Sequence, residues 1–129
     1  VWIYAAARDE ARAVALEARS ATVSCLPNAH GKVDLGAMLR DLAARGVNEL
    51  HVESGHKLNG SLLREGCVDE LLVYLAPKLI GSGLDIASQI HADGPLVSLA
   101  GALPLAFRSA DMIGPDLRIV ARVAGRDAF

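Results

Sequence analysis

Between Asn48 and Gly66 the chain reads NELHVESGHKLNGSLLREG, and here its chemistry-bearing side chains stand at useful spacing. Leu50-His51-Val52-Glu53 alternates apolar and polar positions up to a carboxylate. That pattern predicts a short strand delivering Glu53 to its carboxyl end, where open α/β sheets bind ligands. Gly55 lacks the Cβ that would keep a ligand off the backbone. From Lys57 onward, Leu58, Leu62 and Leu63 recur at helical spacing and predict a helix, whose first N–H groups attract phosphate. An acid and an anion site would then share one crevice. Read residue by residue, the same stretch also admits a plainer account: Glu53 as a strand-end salt bridge, Asn59-Gly60 as a turn and Lys57 as a solvated cation.

Other chemistries find less support. His30, His51, His56 and His91 offer no metal-ligand spacing, since His51 and His56 are five apart across a strand-turn boundary and no cysteine pair joins them; no metal is expected. Ser24 and Ser61 have no His-Asp arrangement and no nucleophile elbow, which argues against a hydrolase. The glycines do not form GxGxxG, so the stretch is not a Rossmann fingerprint.

Composition sets the frame. In 129 residues, 52% hydrophobic residues with only 4% aromatics mean one ordered domain whose core is built from Ala, Leu, Val and Ile. Thirteen basic against fifteen acidic residues give a net charge of −2 with no long run of one sign, so neither nucleic acid nor an anionic membrane is the expected partner. The apolar runs are far shorter than the ~20 residues of a membrane span. Cys25 and Cys67 stand far apart and read as buried thiols of a cytoplasmic protein.

The elements that must position the central stretch follow in order. Val1-Trp2-Ile3-Tyr4 is β-rich and starts as though a strand began in the middle of something. Asp9 to Arg19 is Ala-rich and helical, with Ala11, Val14, Ala15 and Ala18 on its expected buried side. Ala21 to Leu26 reads as a strand; Asp34 is an N-cap for a helix carrying Leu35, Met38, Leu39 and Leu42, stopped at Gly46. Glu70 to Ala76 is an almost continuous apolar run, as for a strand buried on both faces, ended by Pro77. Lys78 to Ala102 is one long excursion with at most a short strand near Leu96 to Leu99. From Leu103 alternation returns, with Leu105, Phe107, Ser109 and Asp111 on one face, a turn at Gly114-Pro115-Asp116, and Leu117, Ile119, Ala121 and Val123 in the return strand of a hairpin. Periodicity alone therefore predicts α/β with a mixed sheet.

The stretch VESGHKLNGSLLREGCVDELLVYLAPKLIG has an ordered signature: a strand ending in Glu-x-Gly, a helix opening near Asn-Gly, then Asp-Glu-Leu and Pro-x-x-x-Gly. In this it resembles the reductase domain of the bifunctional riboflavin-biosynthesis deaminase-reductases, a likeness that extends more loosely from Val1 to about Val123. The resemblance implies a dihydrofolate-reductase-like fold with a C-terminal hairpin, truncated at its N-terminus. It also implies NADPH-dependent reduction of the ribosyl group of a phosphorylated pyrimidine ribosylamine to a ribityl chain. On this reading Glu53 is the catalytic and substrate-binding carboxylate, and Gly55, His56, Lys57, Leu58, Asn59, Gly60 and Ser61 contact the cofactor. Asp69-Glu70 reads as structural, an ion pair or a backbone cap. The deaminase half of such enzymes needs a Pro-Cys-x-x-Cys zinc site, which is absent although His51-Val52-Glu53 imitates its His-x-Glu. The alternative is a non-catalytic dimerisation fragment of the same enzyme. A homodimer is expected, and the fragment alone is expected to associate with itself, because a missing early strand leaves an edge to pair, and not to turn over substrate.

Overall fold

In the computed structural model, which describes residues 1–91, 94 and 96–126, the chain forms two compact units, Val1–Val52 and Glu53–Phe129. The first is built on a strand, a helix and a second strand. Strands β1 (Trp2–Ala5) and β2 (Thr22–Cys25) pair in parallel, Trp2 opposite Thr22 and Ala5 opposite Cys25. Parallel neighbours need a crossover, and helix α1 (Glu10–Glu17) supplies it. Asp9 caps α1, its carboxylate accepting from the Arg12 N–H at 3.1 Å, and Ser20 makes the exit with φ +63°. The inward side of α1 is set by Ala13, which is buried, whereas Ala11, Val14, Ala15 and Ala18 are exposed. The expected face was thus displaced by one position, because in a segment where nearly every other residue is Ala the apolar pattern has no preferred side.

Helix α2 (Leu35–Ala44) follows sequence expectation closely. Asp34 Oδ1 accepts from the Ala37 N–H at 2.7 Å. At the other end the N–H groups of Gly46 and Val47 donate to the carbonyls of Ala43 and Leu42, and Gly46 has φ +87°, the left-handed stop in which glycine is favoured. Leu35 and Leu42 are buried. On its other flank α2 holds β1: Asp41 Oδ2 accepts from the Tyr4 hydroxyl and from Arg45 Nε, both at 2.7 Å, and the Arg45 guanidinium lies 5.2 Å from the centroid of the Trp2 ring.

The second unit joins helix α3 (His56–Arg64) to an antiparallel sheet of β3 (Glu70–Leu75), β5 (Asp116–Val123) and β4 (Leu105–Ile113), in that order. Gly114 has φ +61° and precedes Pro115 between paired Ile113 and Asp116, which fits the type II′ hairpin turn. Leu71, Val73, Ile119, Ala121 and Val123 occupy one face with the better-buried side chains. The other face carries the ion pairs Arg118–Asp111 at 3.1 Å and Arg122–Glu70 at 3.9 Å, and leaves Leu72 and Tyr74 exposed. Strand β3 is therefore not buried on both faces, since its apolar run meets charged cross-strand neighbours on one of them.

Between Phe107 and Ser109 the register shifts. The inserted Arg108 moves the rest of β4 by one position, so Leu105 and Phe107 share a face with Val123 and Ala121, while Ser109 and Asp111 share the opposite face with Val120 and Arg118. A bulge of this kind breaks the period-two alternation that predicted all four on one side. In the long excursion, Leu96 to Leu99 is not a strand; a single 3₁₀ turn spans Leu99–Gly101, with Ser98 as its cap. The cysteines also differ from expectation: Cys25 is exposed and Cys67 only half-buried.

Candidate functional site

Leu50 to Glu53 forms no strand. Alternation is a local property, whereas a strand exists only where a neighbour accepts its ladder, and among the described residues none pairs with this segment. Glu53 and Ser54 instead lead, without regular secondary structure, into Gly55, the N-cap of α3, whose φ and ψ of −78° and 164° are extended. The helix begins at His56, one residue before the expected start.

Gly55 provides no side-chain cap. The N–H groups of Leu58 and Asn59 both turn back to the Gly55 carbonyl at 3.1 Å, while those of His56 and Lys57 lie ahead of the helical ladder, where donors have no intrahelical partner. A Cβ placed on Gly55 would meet nothing within 4 Å, so the space over this helix start is open. Glu53, Gly55 and Lys57 are exposed, as is Leu58. A carboxylate, an open glycine backbone, an ammonium group and helix-start N–H groups without intrahelical partners therefore occur within five consecutive positions, an arrangement suited to a phosphate and a cationic reacting centre.

The remaining predicted residues turn toward the protein. His56 is half-buried, with Nδ1 3.0 Å from Ser88 Oγ. The half-buried Asn59 accepts through Oδ1 from the Ser54 hydroxyl at 2.5 Å and donates through Nδ2 to the Ile86 carbonyl at 2.8 Å. Gly60 is buried. Ser61 accepts from Arg64 Nη2 at 3.0 Å, and Arg64 Nη1 donates to the Gln89 carbonyl at 2.6 Å. Sequence reasoning missed Ser54, Ile86, Ser88 and Arg64 as parts of this neighbourhood. For Arg64 a signal existed, since it lies one helical face along from Asn59 and Gly60; for the 86–89 segment none did, because aperiodic loops carry no mark of what they touch. Asp69 and Glu70 are structural as expected: Asp69 pairs with Arg126 at 3.1 Å and its carbonyl accepts from the Val123 N–H at 3.0 Å.

A parallel βαβ unit, a glycine-started helix and a C-terminal antiparallel hairpin are the parts of a dihydrofolate-reductase-like reductase domain. The solved structure of RibD from Acinetobacter baumannii (form 1) has the same fold: it superposes with a TM-score of 0.77 over 96% of this chain and 31% of its own, at 18% identity. The chain belongs to the RibD C-terminal domain family, whose model matches residues 1–117. It is 39% identical over 92 residues to the riboflavin biosynthesis protein RibD of Escherichia coli, an alignment covering 71% of this chain and 24% of that protein. The 5-amino-6-(5-phosphoribosylamino)uracil reductase of Buchnera aphidicola is 29% identical over 89 residues, covering 69% and 42%. The chain thus spans less than half the length of these curated relatives. No helix among the described residues is long and apolar enough to cross a membrane.

Proposed function

We propose that the protein carrying this chain is an NADPH-dependent reductase that converts the ribosyl group of 5-amino-6-(5-phosphoribosylamino)uracil to the ribityl form in riboflavin biosynthesis, with residues 1–129 as the C-terminal part of its reductase domain. The observation that carries this reading is the open, uncapped start of α3 beside Glu53 in a chain of the RibD C-terminal domain family. The residues present fit a phosphorylated dinucleotide: Gly55 leaves room for it, the His56 and Lys57 N–H groups point along the positive end of the helix, and the Lys57 side chain can balance a phosphate. When bound, the nicotinamide supplies the hydride. The chain's own part is electrostatic. Glu53 anchors the substrate and favours the cationic, iminium-like form of the open-chain ribosyl carbon, the species that accepts hydride most readily. A nearby carboxylate stabilises that charge as it develops, and burial of the pair by substrate strengthens the effect.

The same reading includes a homodimer. Phe107, Met112 and Leu75 stand more than half exposed on one face of the β3-β5-β4 sheet, and apolar surface of that kind is what a second copy covers. The direct test of function is to mix the protein with NADPH and the phosphoribosylaminouracil and follow the absorbance of the reduced nicotinamide. Substrate-dependent oxidation is expected; a protein that binds both and oxidises nothing would leave the dimerisation role as the better account.

A further inference from the structure

His56, Asn59, Gly60 and Arg64 fall along one side of α3, Asn59 and Gly60 three and four residues after His56 and Arg64 four after Gly60, and each of them meets the segment Ile86–Gln89. The His56 carbonyl accepts from the Ser88 N–H at 2.9 Å and its ring nitrogen lies against the Ser88 hydroxyl. Asn59 holds the Ile86 carbonyl, and Arg64 the Gln89 carbonyl. At Gly60 the contact is backbone on backbone: a Cβ there would stand 1.6 Å from the Ser88 carbonyl oxygen, so no larger residue seats the segment as it lies. Asn59 also reaches the opposite way. Its Oδ1 accepts from the Ser54 hydroxyl, and Nδ2 lies 3.4 Å from the Ser54 carbonyl. Both functions of the amide are therefore engaged inside the chain, between a segment about thirty residues downstream and the residue that separates Glu53 from Gly55.

We propose that Asn59 is a positioning residue and not a nucleotide ligand: its amide ties the Glu53–Gly55 lead-in to the Ile86–Gln89 segment, and that segment, seated on Gly60, holds the lead-in in its binding conformation. The inference rests on the assignment of Glu53 and Gly55 to the substrate and cofactor site. It also gives the long excursion after β3 a task, since a loop of that length in a compact unit usually has one. Asn59 sits in the helix like any polar residue, but its hydrogen bonds run to two loops instead of to solvent, and losing one such tie frees both.

The test uses the protein with Asn59→Ala and Asn59→Asp, the second keeping an acceptor for Ser54 while losing the donor to Ile86. Two readouts are compared: hydrogen exchange of the Ser88 amide without cofactor, and affinity for NADPH. In both variants exchange at Ser88 should quicken by about tenfold or more, the response of a local opening made easier, and NADPH affinity of the folded protein should fall by about tenfold. A residue that served only overall stability would leave the affinity of the folded fraction unchanged. Ser54→Ala added to Asn59→Ala should cost little more, since both act through one tie; losses that multiply would make Asn59 a direct ligand and overturn the proposal, as would unchanged exchange at Ser88. If Asn59→Ala does not fold, Asn59→Asp and the milder Ser54→Ala supply the same two readouts. A parent protein that does not bind NADPH would sink the site assignment itself, while Ser88 exchange would still decide whether the tie exists.

Discussion

At the scale of single residues, the proposed function divides one motif between Glu53, which would face the substrate, and Asn59, which would hold the frame. Glu53 is exposed at the lead-in to α3, and on that reading its charge is its contribution. Glu53→Gln keeps the shape and part of the hydrogen bonding, so turnover should fall by roughly tenfold or more while NADPH affinity changes little, the signature of an interaction made mainly in the transition state. Steady-state kinetics and a cofactor titration on the same variant check this; equal turnover would reduce Glu53 to a structural carboxylate. Residue types at the helix start were legible from sequence because a carboxylate, a glycine and a cation stand within five positions of one another. The inward turn of His56 and Asn59 was not, since a side chain's partner in a distant loop leaves no local pattern.

At the scale of elements, α2 was the most legible because both of its ends are written in chemistry. Asp34 satisfies a first-turn N–H and Gly46 takes the left-handed stop. Asp34→Ala should therefore cost about 1 kcal/mol through the lost cap, and Gly46→Ala a further ~1 kcal/mol through a Cβ forced into positive φ. The two sites share no partner, so the double variant should lose the sum; denaturant unfolding measures all three, and a neutral Gly46→Ala would deny the strain. Elements whose definition depends on something outside them read less well. The Leu50–Glu53 segment has the alternation of a strand without a partner strand, and α1 has so many alanines that its buried side could not be told from its pattern. The bulge at Arg108 was invisible for the opposite reason, since the sequence alternates smoothly through it and only the pairing with β5 reveals the extra residue.

For the molecule as a whole, three titratable side chains give its stability a dependence on pH. Hydrogen bonds from Arg45, and then from Tyr4, hold the Asp41 carboxyl below its ordinary value, and Arg118 does the same for Asp111. A carboxyl with a lowered folded-state pKa releases its proton more readily folded than unfolded. Its stabilisation is complete above the unfolded value of about 4 and is lost as pH falls through the lower folded value. Tyr4 has the opposite sign: desolvation first, and then the hydrogen bond to Asp41, raise it. Stability should consequently decline again as pH rises above about 10, where an unfolded tyrosine ionises before the folded one. Thermal unfolding against pH should show a plateau between these limits, and Asp41→Asn should shrink the acid shoulder to the share of Asp111 and the alkaline one to the share that desolvation of Tyr4 sets; an unchanged profile in that variant would remove Asp41 as a contributor to either. The central claim, that the open start of α3 receives the nicotinamide nucleotide, is tested most directly by calorimetric titration of NADPH into the parent protein and into Gly55→Val. Residue 55 has ordinary φ and nothing within 4 Å of a Cβ, so valine should leave the fold and its unfolding midpoint intact while its methyls fill the space the cofactor needs. Saturable binding in the parent, weakened by about tenfold or more in the variant, is the predicted result; NADPH binding of equal strength to a folded Gly55→Val protein would contradict it.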